Sequence, residues 1–174
     1  MITVFGARGT ITDIDGFLSR LQRFSQENDL VIQVFDARVV YGKDHLLSAT
    51  THALRAFQEG TNATKSLPLE MLLYAAGERQ IHKAIKKMGV KHGEQQIAFV
   101  LIDHKKKSSR GEITAMVIPK LFRLFHLRYD EGVLQGNRDT LKRFGITPQE
   151  IRTTPKARYG DLILEKIAMV DIIK

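Results

Sequence analysis

Thr64 to Lys91, TKSLPLEMLLYAAGERQIHKAIKKMGVK, joins a nearly uniform apolar run to a basic amphipathic one across Gly77, and this join constrains the fold more than any other stretch of the chain. Pro68 suits the first turn of a helix running to Ala76. Because Met71 to Ala75 is uniformly apolar, a strand competes with the helix, and spacing does not separate them. Beyond Gly77, winding at about 100° per residue puts Ile81, Ala84, Ile85 and Met88 on one face and Arg79, Lys83, Lys86 and Lys87 on the opposite one. The apolar face anchors and the basic face looks outward. On spacing alone that basic face is ordinary solvated helix surface.

The elements around this join alternate in type. Ile2 to Ala7 reads as a strand, and Thr12 or Asp13 caps a helix carrying Ile14, Leu18, Leu21 and Phe24 at helical spacing. Leu30 to Ala37 is a nearly continuous apolar run, as in a strand covered on both faces. Lys43 to Phe57 predicts a long helix ended by Glu59-Gly60. Gln96 to Asp103 is the clearest interior strand, and Lys105 to Arg110 marks an exposed basic loop. Gly111 to Phe125 is helical, with Pro119 as a kink or boundary. Short helices at Asp139 to Phe144 and Pro148 to Arg152 precede a final helix from about Gly160. The expected fold is α/β: a single domain over residues 1–174, with a small mixed β-sheet flanked by several α-helices.

The final helix is apolar almost all round. Only Asp161, Glu165, Lys166, Asp171 and Lys174 are clearly polar from Asp161 onward. Such a helix is either internal or shared with a partner.

With 174 residues, 43% of them hydrophobic, the chain is long enough to bury a core without disulfides or metal. Its 27 Lys+Arg against 19 Asp+Glu give a formal charge of +8, which raises the odds of a polyanionic partner. The longest uninterrupted apolar run, Ile97 to Ile102, is too short to span a bilayer, and no secretory signal opens the chain, so an intracellular protein is expected. The absence of cysteine removes disulfides, a thiol nucleophile and thiolate-bound zinc together.

Enzyme motifs fail on their mechanics. Gly60 to Ser66 brings a glycine, a lysine and a serine together as a P-loop would, but lacks the glycine before the lysine, is one residue short and follows a helix where the motif needs a strand. Gly6-Ala7-Arg8-Gly9 reads better as a tight turn than as a phosphate cradle. His45 and His52 share a helix face without a third ligand, so no metal site is expected. Asp13 and Asp15 suit a helix start. No nucleophile is matched to a base and an orienting group, so the chain is not read as an enzyme, and no cofactor is expected.

The wording of TKSLPLEMLLYAAGERQIHKAIKKMGV resembles the kinase-binding, CGI-type subunit of the KEOPS complex, the PRPK-binding protein family. FGITPQE (Phe144 to Glu150) and LILEKIAMVDIIK (Leu162 to Lys174) look like the closing part of the same subunit. The resemblance implies a non-catalytic subunit of the assembly that makes threonylcarbamoyladenosine on transfer RNA. Such a subunit binds and regulates the kinase/ATPase of the complex, meets other KEOPS subunits indirectly and recruits tRNA through its 3′ CCA end. Carried over by position, RNA contacts fall on Lys65, Ser66, Arg79, Gln80, Ile81 and Lys83, and the kinase interface falls on Leu164, Ile167, Ala168, Val170 and Ile172 of the final helix. Tyr74 is a candidate for base stacking or for the core, and Lys105, Lys106, Lys107 and Arg110 for an extension of the RNA surface or a solvated turn. The implied location is the cytoplasm, and also the nucleus in a eukaryotic cell. The competing function is a plain adaptor for the kinase without specific RNA binding.

Overall fold

β1 (Ile2–Ile11) and β2 (Val31–Asp36) are joined by α1 (Ile14–Glu27), yet they do not pair: β3 (Gly93–Ile102) lies between them, antiparallel to both. β1 and β2 therefore run in the same direction, as in a split β-α-β unit. The expected small sheet flanked by helices is what forms. Its pairings are all antiparallel rather than mixed, because β3 occupies the place where a direct crossover would have made β1 and β2 parallel neighbours. A two-residue strand, β4 (Arg128–Tyr129), pairs with Ala7 and Arg8 on the outer side of β1.

The computed structural model describes residues 1–104 and 110–173. The basic run at Lys105, Lys106 and Lys107 lies outside the described residues, and Arg110 is described in its backbone only.

The pleat sends alternate residues of each strand to opposite cores. Val4, Phe35, Ala98, Val100 and Ile102 face the larger one. Phe5, Ala7, Ile32, Val34, Ile97, Phe99 and Leu101 face the smaller. This double covering is why the β3 run is apolar without alternation. Phe5 and Phe99 are register partners, and their rings stack at 4.9 Å. The smaller core is closed by α1, through Phe17, Leu21 and Phe24, and by α5 (Ile118–Phe125), through Ile118, Leu121 and Phe125. Asp13 caps α1 by accepting from the Gly16 amide at 3.0 Å. α5 begins at Ile118, directly after a π-helical turn over Ile113–Val117, with Pro119 in its first turn.

The larger core is covered by α2 (Gly42–Glu59), α3 (Leu67–Ala76), α4 (Ile81–Met88), α6 (Arg138–Phe144), α7 (Pro148–Thr153) and α8 (Tyr159–Ile173). The apolar run before Gly77 is thus a helix and not a strand. No helix among the described residues is long and apolar enough to cross a membrane.

Candidate functional site

α3 is the hub of this side of the molecule. Every residue from Glu70 to Ala76 is buried, with α2, α4 and α8 packed around the helix. Gly77 ends it in the left-handed region (φ 63°), with its own amide bonded to Leu73 and Tyr74 and the Glu78 amide closing on the Leu73 carbonyl at 3.1 Å. A Cβ at Gly77 would lie 3.3 Å from Phe144 and 3.4 Å from Lys166, close but not prohibitive, so it is the left-handed backbone that demands glycine here.

The loop before α3 is held by an acid. Glu70 is fully buried, and its carboxylate accepts from the Ala63 amide at 3.1 Å, the Thr64 amide at 2.8 Å and the Thr64 hydroxyl at 2.8 Å. The amides that a P-loop would turn on a phosphate are therefore already bonded to a carboxylate of the same chain. This clamp leaves Lys65 exposed and Ser66 half-buried at the entrance to α3.

At the other end of α3 the basic helix begins. Arg79, Gln80 and Lys83 are exposed, Ile81 is half-buried, and Gln80 makes no side-chain capping bond, so the first-turn amides of α4 are uncapped. The structure gathers Arg79, Gln80, Ile81 and Lys83 in one turn. It sets Lys65 and Ser66 apart from them, at the opposite end of a helix about 15 Å long.

Two sequence assignments in α4 change. Ile85, expected on the anchoring face, is 48% exposed, and only Ala84 and Met88 are buried. Lys87, expected on the outward face, folds inward: its Nζ donates to the Ala76 carbonyl at 2.6 Å, lies 3.8 Å from the Phe144 ring centre and 3.7 Å from Glu78. Burial pushes its ammonium pKa down while Glu78 opposes the shift. Lys87 thus stitches the C-terminus of α3 to α4 and α6, where a cation favours the exposed carbonyls.

α8 is divided lengthwise. Tyr159, Ile163, Ile167 and Val170 enter the larger core, at helical spacing. Of the five positions expected at a kinase interface, Ile167 and Val170 are therefore core residues and present no surface in this structure. Leu164 is half-buried, while Ala168 and Ile172 are exposed. Met169 (42%), Ile172 (76%) and Ile173 form an exposed apolar end that the sequence reading credited to Ile172 alone among the three.

That end is pinned by Asp171. Its carboxylate accepts from the Tyr74 hydroxyl and from Arg55 Nη2 at 2.7 Å, and lies 2.8 Å from His52 Nδ1. Burial alone would raise its pKa, but bonds from Tyr74, His52 and Arg55 outweigh that and hold it below the usual range. Tyr74 is fully buried and its ring stacks on His52, so it belongs to the core and not to a base platform. His45, also buried, accepts from the Tyr41 amide at Nδ1 (3.0 Å), which leaves Nε2 as the protonated nitrogen donating to the Ala75 carbonyl at 2.7 Å. Both nitrogens are used internally. Among the described residues no three His, Asp or Glu side chains group as metal ligands.

Comparison with known proteins converges on one family. The model of the family described as kinase binding protein CGI-121 matches residues 11–171, which includes α4 and nearly all of α8. A protein of Methanocaldococcus jannaschii named regulatory protein Cgi121 is 32% identical over 149 residues, spanning 83% of this chain and 86% of its own length. A protein of Pyrococcus abyssi named KEOPS complex subunit Cgi121 is 32% identical over 83 residues, spanning 47% of this chain and 48% of its own.

Proposed function

This chain belongs to the CGI-121 family of kinase-binding proteins, and on that premise we propose that it is a non-catalytic subunit of a KEOPS complex, acting as one domain over residues 1–174. It binds and regulates the kinase/ATPase of that complex in the cytoplasm, and it recruits tRNA through the 3′ CCA end for threonylcarbamoyladenosine synthesis. The observation that carries the kinase half is the exposed apolar end of α8 (Met169, Ile172 and Ile173), on a helix whose other face is core. Water-facing apolar side chains in a row mark a docking surface. The RNA half rests on the first turn of α4, where Arg79 and Lys83 flank uncapped amides beside the partly exposed Ile81 and Ile85. Cations for phosphates next to apolar surface for unstacked bases is the chemistry that single-stranded RNA requires.

The experiment is a tRNA titration by mobility shift. Arg79→Glu combined with Lys83→Glu weakens binding while the fold survives, and removal of the CCA end from wild-type complexes does the same; unchanged affinity in both sinks the RNA half. A plain kinase adaptor is the second reading, favoured by the inward turn of Lys87 and by the separation of Lys65 from Arg79, which leave fewer convergent cations than the sequence suggests. In that case α8 variants lose the kinase and neither RNA test shows an effect.

A further inference from the structure

Arg8 in β1 and Arg128 in β4 are register partners, so their side chains stand directly opposite each other on one face of the sheet. Like charges so placed in an antiparallel pair cost stability. Arg38, on the short 3-10 turn after β2, faces the same concavity of about 590 Å³, whose lining also includes Thr10, Gln96 and His126. His126 reaches the recess as the left-handed C-cap of α5 (φ 54°).

The nearby acids orient these arginines without using up their donors. Asp130 engages Arg8 only at Nε, at 2.5 Å, and spends its other oxygen on the Gly132 amide. The buried Asp36 grips Arg38 through Nε at 3.1 Å and Nη2 at 2.9 Å. Glu94 also lines the concavity, so formal charges there nearly balance and bulk attraction contributes little. What marks the recess is donor geometry: among the described residues the terminal nitrogens of Arg8 have no hydrogen-bond partner, and the Arg128 guanidinium, whose charge acts on Asp130, makes no hydrogen bond or close ion pair. Planar forks with free donors converging on a polar recess match the oxygens of a phosphate group.

The recess lies beside α4. The turn bearing Arg38 packs against α4, and Lys91, just beyond α4, reaches within 4.0 Å of Asp36. We propose that this concavity binds a phosphodiester segment of the RNA recruited by α4, as a second and separate contact on the same molecule. The proposal rests on the RNA half of the function given above.

Titrations of three ligands with wild type and variants test it: intact tRNA, tRNA lacking its CCA end, and a short single strand ending in CCA. Arg128→Ala, which breaks no hydrogen bond among the described residues, weakens intact tRNA several-fold and makes the salt dependence shallower by about one unit of log–log slope. Adding Arg8→Ala roughly doubles the change in slope, and neither variant alters binding of the short CCA strand. Wild-type affinity and slope in a folded Arg8→Ala, Arg128→Ala protein overturns the proposal. So does saturation of the recess by inorganic phosphate alone at concentrations that leave tRNA binding intact. If the CCA end proves dispensable while the arginine effect persists on tRNA lacking it, the platform on α4 has failed and the recess has not.

Discussion

α3 and α8 look alike as strings of residues and behave differently as helices. Both are apolar nearly all round, and both touch the larger core. α3 lies among α2, α4 and α8 and buries everything from Glu70 onward, whereas α8 buries one face and leaves Met169, Ile172 and Ile173 in water. The difference lies in neighbours and not in composition: α3 is enclosed by elements of its own chain, and α8 is enclosed on one side only. An all-round apolar helix therefore points to a partner only after its own chain has been fully placed.

Four measurements break or sharpen this contrast. The largest effect is expected at Ile167→Asp, which puts an unpaired carboxylate in the core. A loss of 4 kcal/mol or more, on the order expected for such burial, is read as a collapse of the urea midpoint; a folded variant that loses only the kinase would return Ile167 to an interface.

The second is a pH effect from His45, which ties α2 to α3. Burial lowers its pKa from 6.5 to about 4. The unfolded chain therefore binds this proton more readily than the folded one, so the contribution is fully present above pH 6.5 and is lost as pH falls towards 4. The full amount is on the order of 3 kcal/mol. Urea unfolding followed from pH 8 to 4 shows this slope in wild type, and His45→Gln flattens it.

Third, Tyr74→Phe removes the one side-chain bond described above that directly joins α3 to α8, and leaves Asp171 one donor short, at a cost of about 1–2 kcal/mol. Amide exchange at the end of α8 should speed up more than exchange in α3. The smallest stability change is expected at Ile172→Asp, within about 0.5 kcal/mol of wild type because the side chain is in water. The same variant abolishes co-purification of the kinase, and retention of the partner would remove α8 from the docking surface.

Much of this fold is legible in the residues, and the exceptions share a physical cause. The β3 run and the α1 periodicity are readable because burial on two faces and on one face leaves different patterns. Met71 to Ala75 carries no pattern, since a segment buried on every side has no period to display, and helix and strand stay open until neighbours are known. β4 is two exposed residues and leaves no trace. Ile167 and Ala168 are adjacent apolar residues with opposite fates. Lys87 has the spacing of a solvated cation, and only the arrival of Phe144 from a distant part of the chain turns it inward. At the candidate site, the cations of the first α4 turn are visible as a cluster in the sequence. The opposition of Arg8 and Arg128 is not, because strand register brings them together.

The insertion of β3 between β1 and β2 also sets an order of events for the chain as it is made. Neither of the first two strands has its partner until residues 93–102 have been synthesised, so the first ninety or so residues cannot assemble this sheet. Contacts of such long separation close slowly. Until β3 arrives, the edges of β1 and β2 remain unpaired, and a ribosome stalled before it would hold a chain exposed to aggregation.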